Sequence, residues 1–248
     1  MTSEKDRLYA TPREDAGPFA FDEQVARVFP DMINRSVPGY GLLLEMIGVI
    51  TSTHALPGTH LYDLGCSLGG ATLAMRHALK AEPTADPGFR IIAVDNSPAM
   101  IDRCRILLDS DFHPVPVSLV CEDIETLTLQ PCSVVTMNFT LQFISPERRP
   151  ALLGSIASSL CKGGALILSE KLSFADAEEE KDLSDLHHDF KHSRGYSRLE
   201  IAQKRAALEK VLIPETFATH HQRLLDAGFS RVVLWFQCFN FCSILAIR

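Results

Sequence analysis

The sequence predicts an α/β fold: a doubly wound, mostly parallel seven-stranded sheet with an antiparallel C-terminal hairpin and helical additions. Apolar runs of strand length alternate with helix-periodic segments between residues 60 and 169, which is typical of a parallel sheet. A glycine-rich turn joins the first strand to the first helix of this alternation. Two β-rich runs at 231–236 and 241–247 are separated by only a few residues, which favours a hairpin at the edge of the sheet.

The length of 248 residues suits one elaborated α/β domain. We expect a mobile N-terminal tail over residues 1–18 and a single domain over residues 19–248. Within that domain, residues 19–58 should form an N-terminal helical cap, and residues 174–227 a helical insertion.

Each element follows from a local pattern. In the cap, apolar residues have helical spacing from 19 to 29, Pro30 interrupts that helix, and residues 42–52 form a second helix. Strands are predicted at 60–64, 90–95, 117–120, 133–139 and 165–169. Helices are predicted at 71–79, 97–108, 146–160, 198–211 and 214–227, and the Lys-Gly-Gly at 162–164 separates the third of these from the fifth strand.

Bulk composition narrows the function classes. The formal net charge of −7 argues against a surface built to bind a polyanion, so no direct nucleic-acid substrate is expected. The chain has no apolar run long enough for a membrane helix, and its polar N-terminus lacks the pattern of a secretory signal. Seven cysteines without paired spacing indicate reduced thiols, so we expect a cytoplasmic protein.

The glycine-rich turn carries the first indication of a ligand. Asp63, Gly65 and Gly69 have the spacing Asp-x-Gly-x-x-x-Gly, which is neither the dinucleotide fingerprint nor a P-loop. It resembles the first motif of class I S-adenosylmethionine (SAM) dependent methyltransferases. The alternative is a tight strand-to-helix turn of the kind found in any α/β protein.

Polar residues follow the next three strands. Asp95 ends strand two, where a carboxylate accepts both hydroxyls of an adenosine ribose, although it could instead serve the N-terminus of the next helix. Asn96 could lie beside the adenine. Asp123 could accept from the adenine amino group while Ile124 packs against the ring. Asn138, at the end of strand four, would lie near the sulfonium.

Two other groups are interpreted as structural. His188 and His192 have a spacing that suits a metal, but a third ligand is missing, so we expect a solvated or capping pair and no metal site. Glu170 and Lys171, after strand five, are interpreted as a surface or structural pair.

Longer segments carry a more specific resemblance. The chain resembles the carboxy-S-adenosyl-L-methionine synthase family over residues 19–248. The matching segments are Phe21-Asp22-Glu23, residues 28–33 and 35–40, Tyr62-Asp63-Leu64-Gly65-Cys66-Ser67-Leu68-Gly69, residues 95–101, Asn138-Phe139-Thr140-Leu141-Gln142-Phe143, Gln203-Lys204-Arg205 and residues 234–241.

The resemblance implies an activity. Members of that family convert SAM and prephenate into carboxy-SAM and phenylpyruvate, and a partner enzyme then transfers the carboxymethyl group to 5-hydroxyuridine in tRNA. It also implies a homodimer. By motif position, the residues expected to contact the SAM-derived ligand are Tyr40, Gly65, Cys66, Ser67, Asp95, Asn96, Asp123, Ile124, Asn138 and Arg205.

Tyr40 and Arg205 are the expected catalytic residues, because the resemblance places them near the carboxylate that distinguishes the product. A guanidinium beside a sulfonium suits an enzyme that creates a carboxylate there, since arginine pairs with it in bidentate fashion. Two alternatives stay open: an ordinary SAM-dependent methyltransferase of tRNA or a small acceptor, and a silent SAM-binding subunit.

Overall fold

The computed structural model describes residues 4–12, 19–80, 88–209 and 211–248. Within them lies one seven-stranded sheet in the order β3-β2-β1-β4-β5-β7-β6. The first five strands are parallel, and β7 runs antiparallel to both β5 and β6. The strands are β1 (Thr59–Leu64), β2 (Phe89–Asp95), β3 (Val117–Cys121), β4 (Cys132–Asn138), β5 (Leu160–Lys171), β6 (Arg231–Cys238) and β7 (Phe241–Ile247). The predicted fold class is confirmed.

Helices cover both faces of this sheet. They are α1 (Glu23–Ser36), α2 (Tyr40–His54), α3 (Gly70–Ala78), α4 (Pro98–Asp109), α5 (Arg149–Ser159), α6 (Ala177–Ser193), α7 (Arg198–Leu208) and α8 (Phe217–Asp226), with a short 3₁₀ helix at Leu141–Phe143. The Lys-Gly-Gly at 162–164, predicted to separate a helix from a strand, lies inside β5 instead.

The central strand β1 shows how the sheet is held between its two layers. Its apolar side chains alternate, so Tyr62 and Leu64 pack with α5 and α8 on one face. Leu61 points to the other face and packs against α2 and α3. Because β1 to β4 are parallel, their carboxyl ends meet at one edge, where polar side chains can line a common site.

Pro30 does not end the first helix, contrary to the sequence prediction. Helix α1 begins at the N-cap Asp22, whose side chain accepts from the Val25 backbone, and continues through Pro30 to Ser36. Its buried side chains before and after the proline, Val28 and Met32, belong to one apolar cluster. Burial of this continuous apolar face offsets the one backbone hydrogen bond that proline removes.

Residues 4–12 belong to the segment expected to be a mobile tail, yet part of them is packed. Asp6 is buried, its backbone carbonyl accepts from Arg35 at 2.8 Å, and its side chain accepts from the Tyr196 hydroxyl at 2.5 Å. These contacts tie the segment to α1 and to the turn before α7. The rest of that expected tail, residues 1–3 and 13–18, lies outside the described residues.

Candidate active site

A cavity of about 660 Å³ lies at the carboxyl ends of β1 to β5 and beneath α6 and α7. Its volume is in the range usual for small-molecule sites. The structure brings every residue predicted to contact the ligand to its wall: Tyr40, Gly65, Cys66, Ser67, Asp95, Asn96, Asp123, Ile124, Asn138 and Arg205.

The turn between β1 and α3 has a backbone conformation that requires glycine. Gly65 and Gly69 have φ values of +82° and +84°, in the left-handed region that favours glycine. A Cβ added to Gly65 would lie 2.3 Å from the Thr140 hydroxyl oxygen, so the turn also needs a residue without a side chain there. The chain thus turns sharply from β1 into α3 with its backbone at the cavity wall.

Asp95 holds this turn in place. One of its carboxylate oxygens accepts from the Ser67 backbone N–H at 2.8 Å, and the other accepts from the Ser97 backbone N–H at 2.9 Å. Burial raises the pKa of Asp95 from its usual value. Each oxygen has a further lone pair, so the carboxylate serves the start of α4 and can also accept from a ligand hydroxyl. The two interpretations of Asp95 are therefore compatible.

Two buried oxygens at the cavity have no protein partner in the described part of the chain. They are Oδ1 of Asn138 and Oδ1 of Asp63. The other oxygen of Asp63 accepts from the Thr72 hydroxyl at 2.5 Å, and burial raises the pKa of Asp63 to about 6. Buried acceptors without partners are rare, so both atoms are available to ligand donors. Asp63 was missed as a site residue, because its place in the turn motif says nothing about an unpaired oxygen.

Tyr40 and Arg205 approach the cavity from different elements. The Tyr40 hydroxyl lies over the start of α3, where a Cβ added to Gly70 would be 3.1 Å away. Burial and the nearby Asp63 carboxylate raise the pKa of that hydroxyl. Arg205 lies on α7, its side chain is 62% exposed, and its Nε donates to Glu209 at 2.6 Å. Its guanidinium is therefore free to change partners when a ligand arrives.

Further cationic side chains line the end of the cavity beneath α6 and α7. We call Lys171, Lys191 and Arg205 the cationic end. We call Gly65, Asp95 and Asp123 the nucleoside end, after the part of the ligand that the sequence predicts there. A smaller cleft of about 550 Å³ is lined by α6 and α7 and shares His188, Arg205 and Glu209 with the cavity. The cationic end thus adjoins a second opening.

The interpretation of Glu170 and Lys171 as a surface or structural pair is wrong. Neighbouring residues of a strand point to opposite faces, so these side chains do not meet. Glu170 is fully buried and, within the described residues, both of its carboxylate oxygens lack a partner, whereas Lys171 lines the cavity. Burial raises the pKa of Glu170 well above its usual value, which favours its neutral form.

The histidine pair on α6 separates into two environments. His188 lines the cavity, while Nδ1 of His192 lies 3.0 Å from the Tyr196 carbonyl oxygen at the end of the helix. Within residues 4–12, 19–80, 88–209 and 211–248, no group of three or more His, Cys, Asp or Glu side chains is placed to hold a metal ion.

Comparison with known proteins decides the family. A protein of Trichlorobacter lovleyi named carboxy-S-adenosyl-L-methionine synthase is 56% identical over 249 residues, covering 100% of both chains. A protein of Hahella chejuensis with the same name is 54% identical over 248 residues, again with 100% of both chains covered. This chain belongs to the carboxy-S-adenosyl-L-methionine synthase family. The resemblance of the sequence segments is confirmed.

Solved methyltransferase structures have a similar fold. The family model for a methyltransferase domain matches residues 61–164. The structure of magnesium protoporphyrin IX methyltransferase from Synechocystis, with bound SAH, has a TM-score of 0.58 at 16% identity, covering 94% of this chain and 90% of that one. Human N-acetylserotonin methyltransferase in complex with SAM has a TM-score of 0.59 at 14% identity, covering 91% and 55%. At these identities the likeness shows the fold alone.

For the part of the chain that the structure describes, none of the helices combines the length and apolar character needed to cross a membrane.

Proposed function

We propose that this enzyme converts SAM and prephenate into carboxy-SAM and phenylpyruvate. The observation that carries the proposal is the cation Arg205 in the same cavity as the strand-end residues expected to bind SAM. The sulfonium of SAM is positively charged and would be repelled by a cationic wall, so such a wall is of little use to simple methyl transfer. It suits an enzyme that forms a carboxylate at the former methyl carbon. The full-length relatives named carboxy-S-adenosyl-L-methionine synthase support it.

The nucleoside end fits the SAM skeleton. Asp95 would accept from the ribose hydroxyls, and Asp123 with Ile124 would bind the adenine. The unpaired oxygen of Asp63 would accept from the amino group of the methionyl moiety, because an ammonium is the donor that a buried carboxylate oxygen prefers. The unpaired Oδ1 of Asn138 would face the sulfonium region, where a partial negative charge is favourable.

The reaction balances without an additional cofactor. Prephenate becomes phenylpyruvate when it loses carbon dioxide and its ring hydroxyl as hydroxide, which makes the ring aromatic. The departing hydroxide takes one proton from the SAM methyl group and leaves as water. The methyl carbon then bonds to the carbon dioxide, and the new carboxylate completes carboxy-SAM.

The chain contributes position and charge to this chemistry. Arg205 would exchange the Glu209 carboxylate for the newly formed carboxylate and hold it in bidentate fashion. The Tyr40 hydroxyl, whose raised pKa keeps it protonated, would donate a hydrogen bond to the same carboxylate. The apolar side chains of the cavity would exclude water and keep carbon dioxide beside the methyl carbon.

Mass spectrometry of the reaction mixture tests the proposal. Purified protein is incubated with SAM, with and without prephenate, and nucleosides and keto acids are quantified. We expect a nucleoside one carbon dioxide heavier than SAM, in equal amount to phenylpyruvate, only with prephenate. S-adenosylhomocysteine formed with an added acceptor, and no dependence on prephenate, would identify a methyltransferase. Bound SAM without any turnover would identify a silent subunit.

The biological setting of this activity follows from its product. We infer that carboxy-SAM passes to a tRNA carboxymethyltransferase that modifies the wobble uridine, in the cytoplasm, and that this enzyme works as a homodimer without itself binding nucleic acid. Light scattering of the purified protein with and without tRNA tests both the dimer and the lack of RNA binding.

A further inference from the structure

The cationic end contains more positive charge than the SAM skeleton needs. Lys171 ends β5, Lys191 lies on α6 and Lys204 on α7, and all three line the cavity together with Arg205. Lys191 and Lys204 are only 8% and 7% exposed. An ammonium group taken out of water is destabilising unless a partner compensates its charge. The partners of each lysine therefore show whether it has a structural role or is available to bind a ligand.

Lys204 has its partners within the protein. Its Nζ donates to the Ser36 hydroxyl at 2.9 Å and lies 3.8 Å from the Asp6 carboxylate. It also lies 5.4 Å from the centre of the Tyr196 ring. Lys204 joins α7 to α1 and to the N-terminal segment, which is a structural role.

Lys171 and Lys191 have no such partners. Their ammonium groups form no hydrogen bond and no ion pair with any residue that the structure describes. The neighbouring acid Glu209 is paired with Arg205, and Glu180 accepts from the Phe174 backbone and from the Ser184 hydroxyl. The charge of Lys191 therefore faces the cavity without a compensating acid, and the charge of Lys171 is offset only in part by the nearby Glu180 and Glu209.

The charged groups that act on Lys191 are all cations. Besides burial, Lys171, Lys204 and Arg205 all lower the pKa of Lys191, which falls to about 7. No acid counteracts them there. The neighbouring His187 is held neutral, since burial is the main cause that lowers its pKa to about 3, and it lies 2.8 Å from the Ser36 carbonyl oxygen. A bound anion would restore the balance of charge.

We propose that Lys171 and Lys191 bind the carboxylates of a dianionic second substrate beside the SAM site. This inference rests on the proposed function, because prephenate is a dicarboxylate that has to lie next to the SAM methyl group. The two lysines would hold the substrate while Arg205 remains available for the carboxylate of the product. Lys204, which has partners of its own, is outside this subsite.

Matched lysine variants test the subsite by binding. Lys171→Met and Lys191→Met are compared with Lys181→Met, which changes an exposed lysine of α6 that pairs with Asp185. Prephenate is titrated by calorimetry into protein saturated with S-adenosylhomocysteine, which has no methyl group to carboxylate. We expect the dissociation constant to rise about tenfold or more in the first two variants, as loss of a charge-assisted hydrogen bond implies, and to stay unchanged in the third.

Two controls separate binding from folding. The dissociation constant for SAM should stay within about twofold of wild type in all three variants, and Lys191→Arg should recover part of the prephenate affinity because it restores the charge. The inference would be overturned if Lys171→Met and Lys191→Met bound prephenate as tightly as Lys181→Met does. So would wild-type protein that does not bind prephenate.

Failure of the proposed function has a different signature. Wild-type protein that binds prephenate through these lysines, yet forms no carboxy-SAM, would refute the synthase reaction and retain the subsite. Wild-type protein that forms carboxy-SAM with unaffected lysine variants would retain the reaction and refute the subsite.

Discussion

The two ends of the cavity differ in how the protein satisfies its own polar groups. At the nucleoside end, Asp95 already accepts two backbone hydrogen bonds and still has acceptor capacity for a ligand. At the cationic end, Lys171 and Lys191 are unpaired within the described residues. The first end is organised by the fold itself, whereas the second is complete only when an anion is bound. Substitutions should therefore weaken the first by distorting the backbone, and the second by removing charge alone.

The largest expected effect is that of Asp95→Ala. It leaves the Ser67 and Ser97 backbone N–H groups without acceptors and removes the contacts proposed for the ribose hydroxyls. Loss of two hydrogen bonds to a charged group should raise the dissociation constant for SAM about 10³-fold. Calorimetry measures it, and Asp102→Ala, an exposed acid on α4, is the control. Equal SAM affinity in the two variants would show that Asp95 does not contribute to SAM binding.

Arg205→Met should produce the next largest effect, and a different one. Carboxy-SAM formation at saturating SAM should fall about 100-fold, because the new carboxylate loses its bidentate partner. The SAM dissociation constant should change by less than about threefold. Glu209→Gln is the matched control, since it releases Arg205 and leaves the guanidinium in place. Unchanged product formation by Arg205→Met would contradict the role of the arginine.

The pH dependence of the reaction with prephenate tests the role of charge at the cationic end. Since the pKa of Lys191 is about 7 in the free protein, its positive charge is lost as the pH rises through that value. The cations Lys171, Lys204 and Arg205 act on its charge, and His187 and His188 neighbour it. The acids Glu180 and Glu209 line the same cavity, and neither counteracts the charge at Lys191. We expect kcat/KM for prephenate to fall above pH 7 and to level off near the value of Lys191→Met, about tenfold lower. Lys191→Arg, which stays charged, should flatten the profile, and an unchanged profile would exclude this titration.

The smallest expected effect concerns thermal stability. The folded-state pKa of Lys191 lies below its ordinary value of 10.5, so between about pH 7 and 10.5 the unfolded chain binds more protons. The free energy of unfolding therefore rises with pH in that window, and the cost of burying the charge is full below pH 7. Lys191→Met should raise the melting temperature at pH 7 by a few degrees, an advantage that fades toward pH 10.

The paired lysine supplies the comparison for that experiment. Lys204→Met removes the bond to Ser36 and the charge beside the buried Asp6, so its melting temperature should fall by about 2–4 °C per kcal/mol lost. Differential scanning calorimetry of both variants without ligand measures the two shifts. A fall in the melting temperature of Lys191→Met, like that expected for Lys204→Met, would show that Lys191 has a structural partner after all.

Local patterns predicted much of the fold and the nucleoside end. Strand-length apolar runs set the alternation, and parallel strands bring their carboxyl ends to one edge, so Asp95, Asp123 and Asn138 could be expected to meet. The pattern failed where packing overrode a local rule. A proline usually ends a helix, but the apolar face that continues past Pro30 keeps α1 intact.

The sequence by itself therefore determined the sheet and the SAM-type turn, with the polar residues at its strand ends, because backbone periodicity relates residues that are near in the chain. Only the tertiary structure decided the rest. Lys171 and Lys191 come from a strand and from a helix of the insertion, and no spacing in the chain relates them. In the sequence Asp63 is part of a turn motif, and only the packed structure leaves one of its oxygens unpaired at the cavity. Burial and the lack of a partner turn these ordinary residues into a site, and both are properties of the packed molecule.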